Sequence, residues 1–255
     1  MDAWMIAILA LCGSCGGMLL TMMWRHQLPP HHEQEETRDL LKIAVGVMAT
    51  LVALILGMLV GSAKGTFDTA NAAIAVEGAK VIELNRVLLD YGPETQPVRA
   101  AVRDKVVAME ARIWPASGRP DTASLLRDAD GERSWDDVLQ GIRRLEPGNA
   151  IQEHLKSRAL QLAGDISVER WLLFEQMQAG LPLILLLVLI TWVFLLFIGL
   201  GLIAPRNSTA AIALLACALS MSGAIFLIVE LTRPLDGWIQ VSKLPVVRAL
   251  QMISK

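Results

Sequence analysis

Four long apolar runs constrain the fold of this chain more than any other feature. They lie at about residues 3–24, 40–62, 180–204 and 209–229. A helix needs about 20 residues to cross the roughly 30 Å hydrocarbon core of a bilayer, and each run reaches that length. None of the four carries Asp, Glu or Arg at its centre. The sequence therefore predicts an integral membrane protein with four transmembrane helices.

The charged residues are concentrated between the second and third runs. Residues 64–176 contain fifteen of the 23 Lys and Arg and eighteen of the 25 Asp and Glu, so this segment is predicted to lie in water. The formal net charge of the whole chain is only −2. That balance provides no basic surface suited to nucleic acid, and the lipid bilayer is the expected partner.

The spacing of apolar residues predicts that the second span continues as a helix beyond the membrane. Apolar residues recur every seven positions, which places them on one stripe of a helix that packs in a bundle. These residues are Phe67, Ile74, Val81 and Leu88. Gly92 is expected to form a left-handed cap, and Pro93 cannot continue the helix.

Further helices are predicted at about 94–113, 121–128, 134–145 and 149–178, separated by turns rich in Pro and Gly. No alternation of apolar and polar residues is long enough to indicate a strand. The predicted fold class is therefore all-α, with an all-helical cytoplasmic domain between transmembrane helices 2 and 3.

The same patterns divide the chain into four parts. Residues 1–63 hold transmembrane helices 1 and 2, residues 64–177 form the helical domain, residues 178–232 form the hairpin of helices 3 and 4, and residues 233–255 are an amphipathic C-terminal tail. The tail mixes apolar residues with Lys243 and Arg248, which is typical of a helix that lies along the inner membrane surface.

The distribution of Lys and Arg near the span ends predicts the orientation. Eight such residues lie on the side of the termini and the helical domain, namely Lys64, Lys80, Arg158, Arg170, Arg233, Lys243, Arg248 and Lys255. Four lie on the other side, namely Arg25, Arg38, Lys42 and Arg206. The excess favours a multi-pass protein with both termini in the cytoplasm.

The second span carries a set of small and hydroxylated residues that could line an aqueous path. They are Ala49, Thr50, Ala53, Gly57, Gly61 and Ser62, whereas Leu51, Leu54 and Leu59 are predicted to lie on other sides of the helix. Asn71 follows in the predicted cytoplasmic extension. Helix packing explains the same pattern, because Gly57 and Gly61 form a Gly-x-x-x-Gly motif. Asn71 is equally consistent with a buried residue that sets helix register. A hydrophobic constriction is expected at one of four further positions: Met48, Val52, Ile55 or Met58.

Glu230 and Arg233 follow the fourth span at a spacing that lets their charges meet on a helix. They are predicted to form an ion pair at the membrane boundary. A gate or an ion-binding ring near the mouth of a pore is the alternative for this pair.

Nothing in the sequence indicates a cofactor, a bound metal or catalysis. The loop with His26, His31 and His32 is interpreted as a solvated turn, and the cysteines of the predicted spans as small apolar residues. No phosphate-binding loop, zinc-protease motif or nucleophile elbow occurs. The protein is not expected to be an enzyme.

Three motifs carry a family resemblance that extends from about residue 40 to the end. The first runs from Ser62 to Asp68, with Phe67, and continues to the segment from Leu88 to Glu94, with Tyr91, Gly92 and Pro93. The second is Ala204, Pro205, Arg206 and Asn207. The third runs from Ile225 to Pro234 and includes Glu230, Leu231, Thr232 and Arg233. The chain resembles a bacterial membrane family of unknown function that is described as bestrophin-like. The resemblance implies a four-span subunit of the bacterial inner (plasma) membrane with a cytoplasmic helical insert.

Bestrophins themselves are pentameric anion channels whose second span lines the pore. The chain departs from them, because it has neither their aromatic pore-neck motif nor their acidic calcium clasp. The expected function is an oligomeric channel for inorganic ions, with anions as the candidate ions. Its pore is expected to be lined by the second transmembrane helix and its cytoplasmic extension. A channel requires a homo-oligomer, since one four-span subunit has too few helices to enclose a water path. The alternative is a non-conducting membrane scaffold or sensor whose helical domain binds a partner.

Overall fold

The computed structural model describes residues 3–24, 35–115, 131–178, 183–205, 207–235 and 237–254. Every regular element in these ranges is a helix, which confirms the predicted all-α fold class. Four of the helices are long and apolar enough to cross a membrane, as predicted. The loop with His26, His31 and His32 and the predicted helix at 121–128 lie outside the described residues.

Eight α-helices follow one another along the described chain. They are α1 (Ala3–Trp24), α2 (Glu35–Tyr91), α3 (Gln96–Ile113), α4 (Gly131–Arg143), α5 (Ala150–Gln178), α6 (Leu183–Ile203), α7 (Ser208–Leu231) and α8 (Leu244–Ile253). Helix α2 is continuous over 57 residues. Because a span needs only about 20 residues, much of α2 lies beyond the hydrocarbon core. Its apolar run at 40–62 is the part that crosses.

The chain divides into two compact units. The membrane unit comprises Met1–Gly65 and Gly180–Thr232, and the polar unit comprises Thr66–Ala179 and Arg233–Lys255. Helices α1, α6 and α7 and the first part of α2 belong to the membrane unit. The remainder of α2 and helices α3, α4, α5 and α8 belong to the polar unit.

Within the membrane unit, α1 packs against both α6 and α7. Small residues allow the close approach. A Cβ built on Gly17 would lie 2.9 Å from the Phe194 ring on α6. On the other side, the buried Ser222 hydroxyl of α7 donates a hydrogen bond of 2.8 Å to the Ala7 carbonyl oxygen of α1. Such contacts are typical of membrane helices, which associate through packing and polar links rather than through a hydrophobic driving force.

Helix α7 begins with a side-chain cap. The Asn207 side-chain oxygen accepts a hydrogen bond of 2.8 Å from the Ala210 N–H. This satisfies one of the amide groups that a helix start leaves without an intrahelical partner. Asn207 and Ser208 both carry a side-chain oxygen that could cap this helix, and the structure places Asn207 at the cap.

The polar unit is built around one hydrophobic core. Helix α3 packs against α4 and α8, and α4 packs against α5. Helix α2 contributes buried residues at the heptad spacing that the sequence predicted, among them Ile74, Val81 and Leu88. Phe67, the first member of that stripe, is only partly buried. The opposing helices supply Val102, Trp135, Ile142, Leu162 and Ile166.

The connection between α2 and α3 differs from the prediction. Gly92 has φ 139° and ψ 179°, so it does not form a left-handed helical cap. This extended region with positive φ is essentially restricted to glycine. The chain turns through it into a short 3-10 helix, Pro93–Thr95, which precedes α3. The Thr95 hydroxyl is buried and donates to the Leu88 carbonyl oxygen at 2.6 Å, which ties the turn to the end of α2.

The C-terminal tail folds into the polar unit. Val246, Ala249 and Ile253 on α8 are buried in its core, and α8 packs against α3. The Trp114 indole N–H at the end of α3 donates a hydrogen bond of 3.2 Å to the Val241 carbonyl oxygen. This side of α8 is therefore covered by protein, whereas Trp238 and Leu244 are exposed. The predicted contact of the tail with the membrane surface remains a prediction.

Candidate functional site

The surface of α2 is the candidate functional site. In its most apolar 18-residue stretch, 11% is buried within the chain, against 28% to 33% for α1, α6 and α7. The second span therefore has the least cover from its own subunit. Its surface is left for lipid, for a pathway or for other copies of the chain.

The exposed and buried sides of α2 follow from helix geometry. Val52, Leu59 and Ala63 are buried, at 0% to 2% exposure. Two residues along an α-helix correspond to a rotation of about 200°. The residues two positions earlier, Thr50, Gly57 and Gly61, therefore point away from the subunit interior. The structure shows all three as exposed.

Ala49, Ala53 and Ser62 are exposed as well. Ala49 and Ala53 flank the face that holds Thr50, Gly57 and Gly61. Ser62 follows Gly57 by five residues, which is about 140° around the helix, so it lies away from the centre of that face. Its exposure alone does not place it with the others.

The exposed face has an apolar member that the sequence reasoning excluded. Leu54 follows Thr50 by four residues and precedes Gly57 by three, so the three side chains share one face. Leu54 is 70% exposed. We define the α2 face as Thr50, Leu54, Gly57 and Gly61. Leu54 differs from its neighbours on this face in size, but its position in the helical repeat places it with them.

The four positions expected to form a constriction divide in the structure. Val52 is buried inside the subunit, so it cannot face a pathway, and the expectation for this residue was wrong. Met48 and Ile55 are half-buried, whereas Met58 is exposed. The sequence could not separate them, because all four are apolar and the buried side depends on how the other helices of the subunit pack.

The polar groups of the α2 face are few. The Thr50 hydroxyl donates a hydrogen bond of 3.0 Å to the Gly46 carbonyl oxygen one turn earlier. This bond satisfies the hydroxyl donor within the helix, while its oxygen can still accept. No charged residue occurs between Lys42 and Lys64. The α2 face is therefore a neutral surface of small residues with one leucine.

Asn71 has a partner in the polar unit. Its side-chain oxygen accepts a hydrogen bond of 3.3 Å from the Ser242 N–H, and the side chain is half-buried. Gly78 and Asn85 follow at the same heptad offset. Gly78 lies against Pro245, and the Asn85 oxygen accepts a hydrogen bond of 2.9 Å from Arg99. This row of α2 thus binds the tail and α3, which favours the packing interpretation of Asn71.

Glu230 and Arg233 occupy different units. Glu230 is buried at the end of α7, with 2% of its surface exposed, and Arg233 is half-buried in the segment that follows. Each takes part in an interaction within the chain. The predicted pairing between the two remains a prediction.

A group of ion pairs that the sequence reasoning missed joins α2 to α5. Glu77 is buried and lies 3.5 Å from the Arg170 Nε atom. Lys80 Nζ lies 2.7 Å from Glu169 and 3.5 Å from Asp165. Burial raises the pKa of Glu77, and the nearby Arg170 charge opposes that rise only in part. The hydrogen bond to Glu169 raises the pKa of Lys80.

A signal for this group was present in the sequence. Glu77 lies three residues after Ile74 and four before Val81, so it falls within the apolar stripe of α2. A carboxylate at a core position is costly without a partner. Its partner on α5 is 93 residues away in the chain, and no local pattern identifies it.

Comparison with known proteins agrees with this architecture. A sequence profile described as a Bestrophin-like domain matches residues 12–246. No curated protein sequence matches the chain.

Two crystal structures of a bacterial Bestrophin homolog from Klebsiella pneumoniae, each with one mutation, share the fold. The first has a TM-score of 0.65 at 14% identity and covers 99% of this chain and 98% of the other. The second has a TM-score of 0.65 at 13% identity and covers 97% and 99%.

The four apolar spans and the helical insert define a multi-pass, all-helical membrane protein. Because the profile match extends over nearly the whole chain, the protein belongs to the bestrophin-like family. Bestrophins are ion channels, so the family to which this bacterial membrane protein belongs is one of oligomeric channels.

Proposed function

We propose that this protein is a homo-oligomeric ion channel in which the α2 face of each subunit lines a shared pathway. The observation that carries the proposal is the exposure of Thr50, Leu54, Gly57 and Gly61 in a helix that its own subunit hardly covers. Small side chains leave room for water, and the hydroxyl and backbone carbonyl oxygens provide polar contacts.

Leu54 is proposed as the hydrophobic constriction of this pathway. It lies between Thr50 and Gly57 on the α2 face, and several copies around an axis would form an apolar ring. Such a ring can close a pore by dewetting without any steric block. Met58, which is also exposed, is the second candidate for the ring.

The charge pattern of α2 limits how the pathway selects ions. Since the span has no charged residue between Lys42 and Lys64, no ring of fixed charge lies within it. Anion conduction is proposed from family membership. The distribution of Lys and Arg supports a second proposal, that both termini lie in the cytoplasm. Reversal potentials in chloride gradients test the ion, and protease protection of a C-terminal tag in oriented vesicles tests the orientation.

Cysteine accessibility tests the lining directly. The three native cysteines, Cys12, Cys15 and Cys217, are free and are first replaced by Ala. Thr50→Cys and Gly57→Cys are then compared with Leu219→Cys, an exposed position on α7. In planar bilayers, a charged, membrane-impermeant thiol reagent should change the current of the two α2 variants only. Equal effects at Leu219 would place the pathway elsewhere.

Leu54 is tested by shortening its side chain. Leu54→Ala should increase the current at a given voltage several-fold, because a wider and less apolar ring wets more easily. Leu215→Ala, also exposed but on α7, is the control and should leave the current unchanged. Purified protein that carries no current under varied voltage, pH, calcium and tension would instead favour the non-conducting scaffold.

A further inference from the structure

The buried carboxyl group of Glu77 has no role in the proposed pathway. Its side chain is 6% exposed, and it lies between α2 and α5 within the polar unit. The two other acidic residues of this group, Glu169 and Asp165 on α5, retain 36% and 48% side-chain exposure. Glu77 is thus the member of the group that has lost nearly all contact with water.

The charges around Glu77 do not balance. The group contains three carboxylates, on Glu77, Asp165 and Glu169, and two cations, on Lys80 and Arg170. When all five residues are ionised, one negative charge is left over. Asp165 and Glu169 still reach water, whereas the charge of Glu77 is buried, so uptake of one proton by Glu77 removes the excess where solvent stabilises it least.

The hydrogen bonds of the group also leave room for a proton. Glu169 Oε1 accepts from Lys80, but Glu169 Oε2 is buried and has no hydrogen-bond partner in the described part of the chain. An ionised carboxylate can only accept, whereas a protonated one gains an O–H donor. The negative charge of Glu169 is close enough to act on Glu77.

We propose that Glu77 is a proton-binding site. Its protonation breaks the ion pair with Arg170, which is one of the ion pairs that join α2 to α5. In the ionised state, Glu77 pairs with Arg170 and Lys80 pairs with Glu169. In the protonated state, which takes its proton from water, the Lys80 pair remains and the neutral Glu77 no longer holds the guanidinium. Arg170, with 20% side-chain exposure, can then turn towards solvent.

The raised pKa of Glu77 agrees in direction with this arrangement. Burial is the largest cause of the raised pKa. Two charged groups on α5 also act on Glu77: Arg170 lowers its pKa and Glu169 raises it. Because the folded state binds this proton more tightly than the unfolded state does, the contribution of Glu77 to stability falls as pH rises above 4.5 towards the folded-state pKa.

Infrared spectroscopy of the full-length protein in detergent tests the proposal without any measurement of conduction. In a pH titration, the C=O stretching band of a protonated carboxyl group should persist above the range in which ordinary carboxyl groups ionise. Glu77→Gln should abolish this late-titrating band. Glu83→Gln is the matched control, since Glu83 also joins α2 to α5, through Arg158 at 2.6 Å, but its side chain is 46% exposed.

The control should retain the band. A wild-type protein whose carboxyl groups all ionise together, or a Glu77→Gln variant that keeps the band, would overturn the proposal.

A second variant keeps the test independent of the folding of Glu77→Gln. Arg170→Gln retains the carboxyl group and removes the cation that opposes its protonation, so the band should persist to higher pH than in the wild type. An unchanged midpoint would show that Glu77 does not bind the proton beside Arg170. Because both readouts concern the polar unit alone, their failure leaves the proposed channel function untouched, and a silent channel leaves the proton site untouched.

Discussion

Gly78 on α2 lies directly against Pro245 at the start of α8. A Cβ built on Gly78 would lie 3.1 Å from the Pro245 carbonyl oxygen. That oxygen belongs to the backbone, so it cannot rotate away as a flexible side chain would. Together with the hydrogen bond between Asn71 and Ser242, this contact fixes the C-terminal tail on the extension of α2.

Gly78→Val is therefore expected to destabilise the protein. Forcing a branched side chain into this contact should lower the free energy of unfolding by about 1–3 kcal/mol. Gly164→Val on α5 is the control, because no atom lies within 4 Å of a Cβ built there. Denaturant unfolding of the full-length protein in detergent measures both. Equal losses would show that the tail does not pack against Gly78.

A second pair of glycines tests the packing of the membrane unit. Gly17→Val on α1 should lower the free energy of unfolding by about 1–3 kcal/mol, since Phe194 and Ile198 occupy the space that the new side chain needs. Gly16→Val, one residue earlier, meets nothing within 4 Å and should be nearly neutral. Thermal denaturation in detergent compares the two variants. The contact between α1 and α6 would be refuted if Gly16→Val were the more harmful change.

The hydrogen bond between α7 and α1 should make a small, measurable contribution. Ser222→Ala removes the donor to the Ala7 carbonyl oxygen and should cost about 0.6 kcal/mol, the average for such bonds between membrane helices. Ser220→Ala is matched in chemistry, but the Ser220 hydroxyl donates to Ala216 within its own helix. It should change stability less. Unfolding in mixed micelles distinguishes the two variants.

The Lys80 ion pair predicts a dependence on high pH. The pKa of Lys80 is raised above 10.5, chiefly by its hydrogen bond to Glu169, so the ammonium group stabilises the folded state fully below that pH. The contribution is lost as pH rises through the folded-state pKa. Lys80→Met should cost about 1 kcal/mol at neutral pH, since the carboxylates are partly solvated.

Melting temperatures from pH 8 to pH 11 check this expectation. The difference between the wild type and Lys80→Met should shrink as pH rises through the upper part of that range. A constant difference would mean that Lys80 stabilises the polar unit through the packing of its methylene groups and not through charge.

The sequence was sufficient for the four spans and for the long helices of the polar unit that the structure describes. A span depends on the length and composition of one continuous segment, and the stripe of Ile74, Val81 and Leu88 follows from the helical repeat. The cap at Asn207 is equally local, because donor and acceptor are three residues apart. Such features need no knowledge of the remainder of the chain.

The candidate site was only partly accessible from the sequence. Thr50, Gly57 and Gly61 were placed on one face because small residues at helical spacing are visible in the sequence, and all three are exposed. Leu54 was excluded and Val52 was offered as a constriction, although the structure exposes the first and buries the second. The difference depends on which side of α2 the other spans of the subunit cover.

The sequence by itself determined where the chain crosses the membrane and where it remains helical, because hydropathy and helical periodicity are properties of neighbouring residues. Only the tertiary structure decided that Glu77 meets Arg170, that the tail packs on Gly78, and that one side of α2 is left open. Each of these depends on distances between segments far apart in the chain, and such distances are set by how the helices pack together.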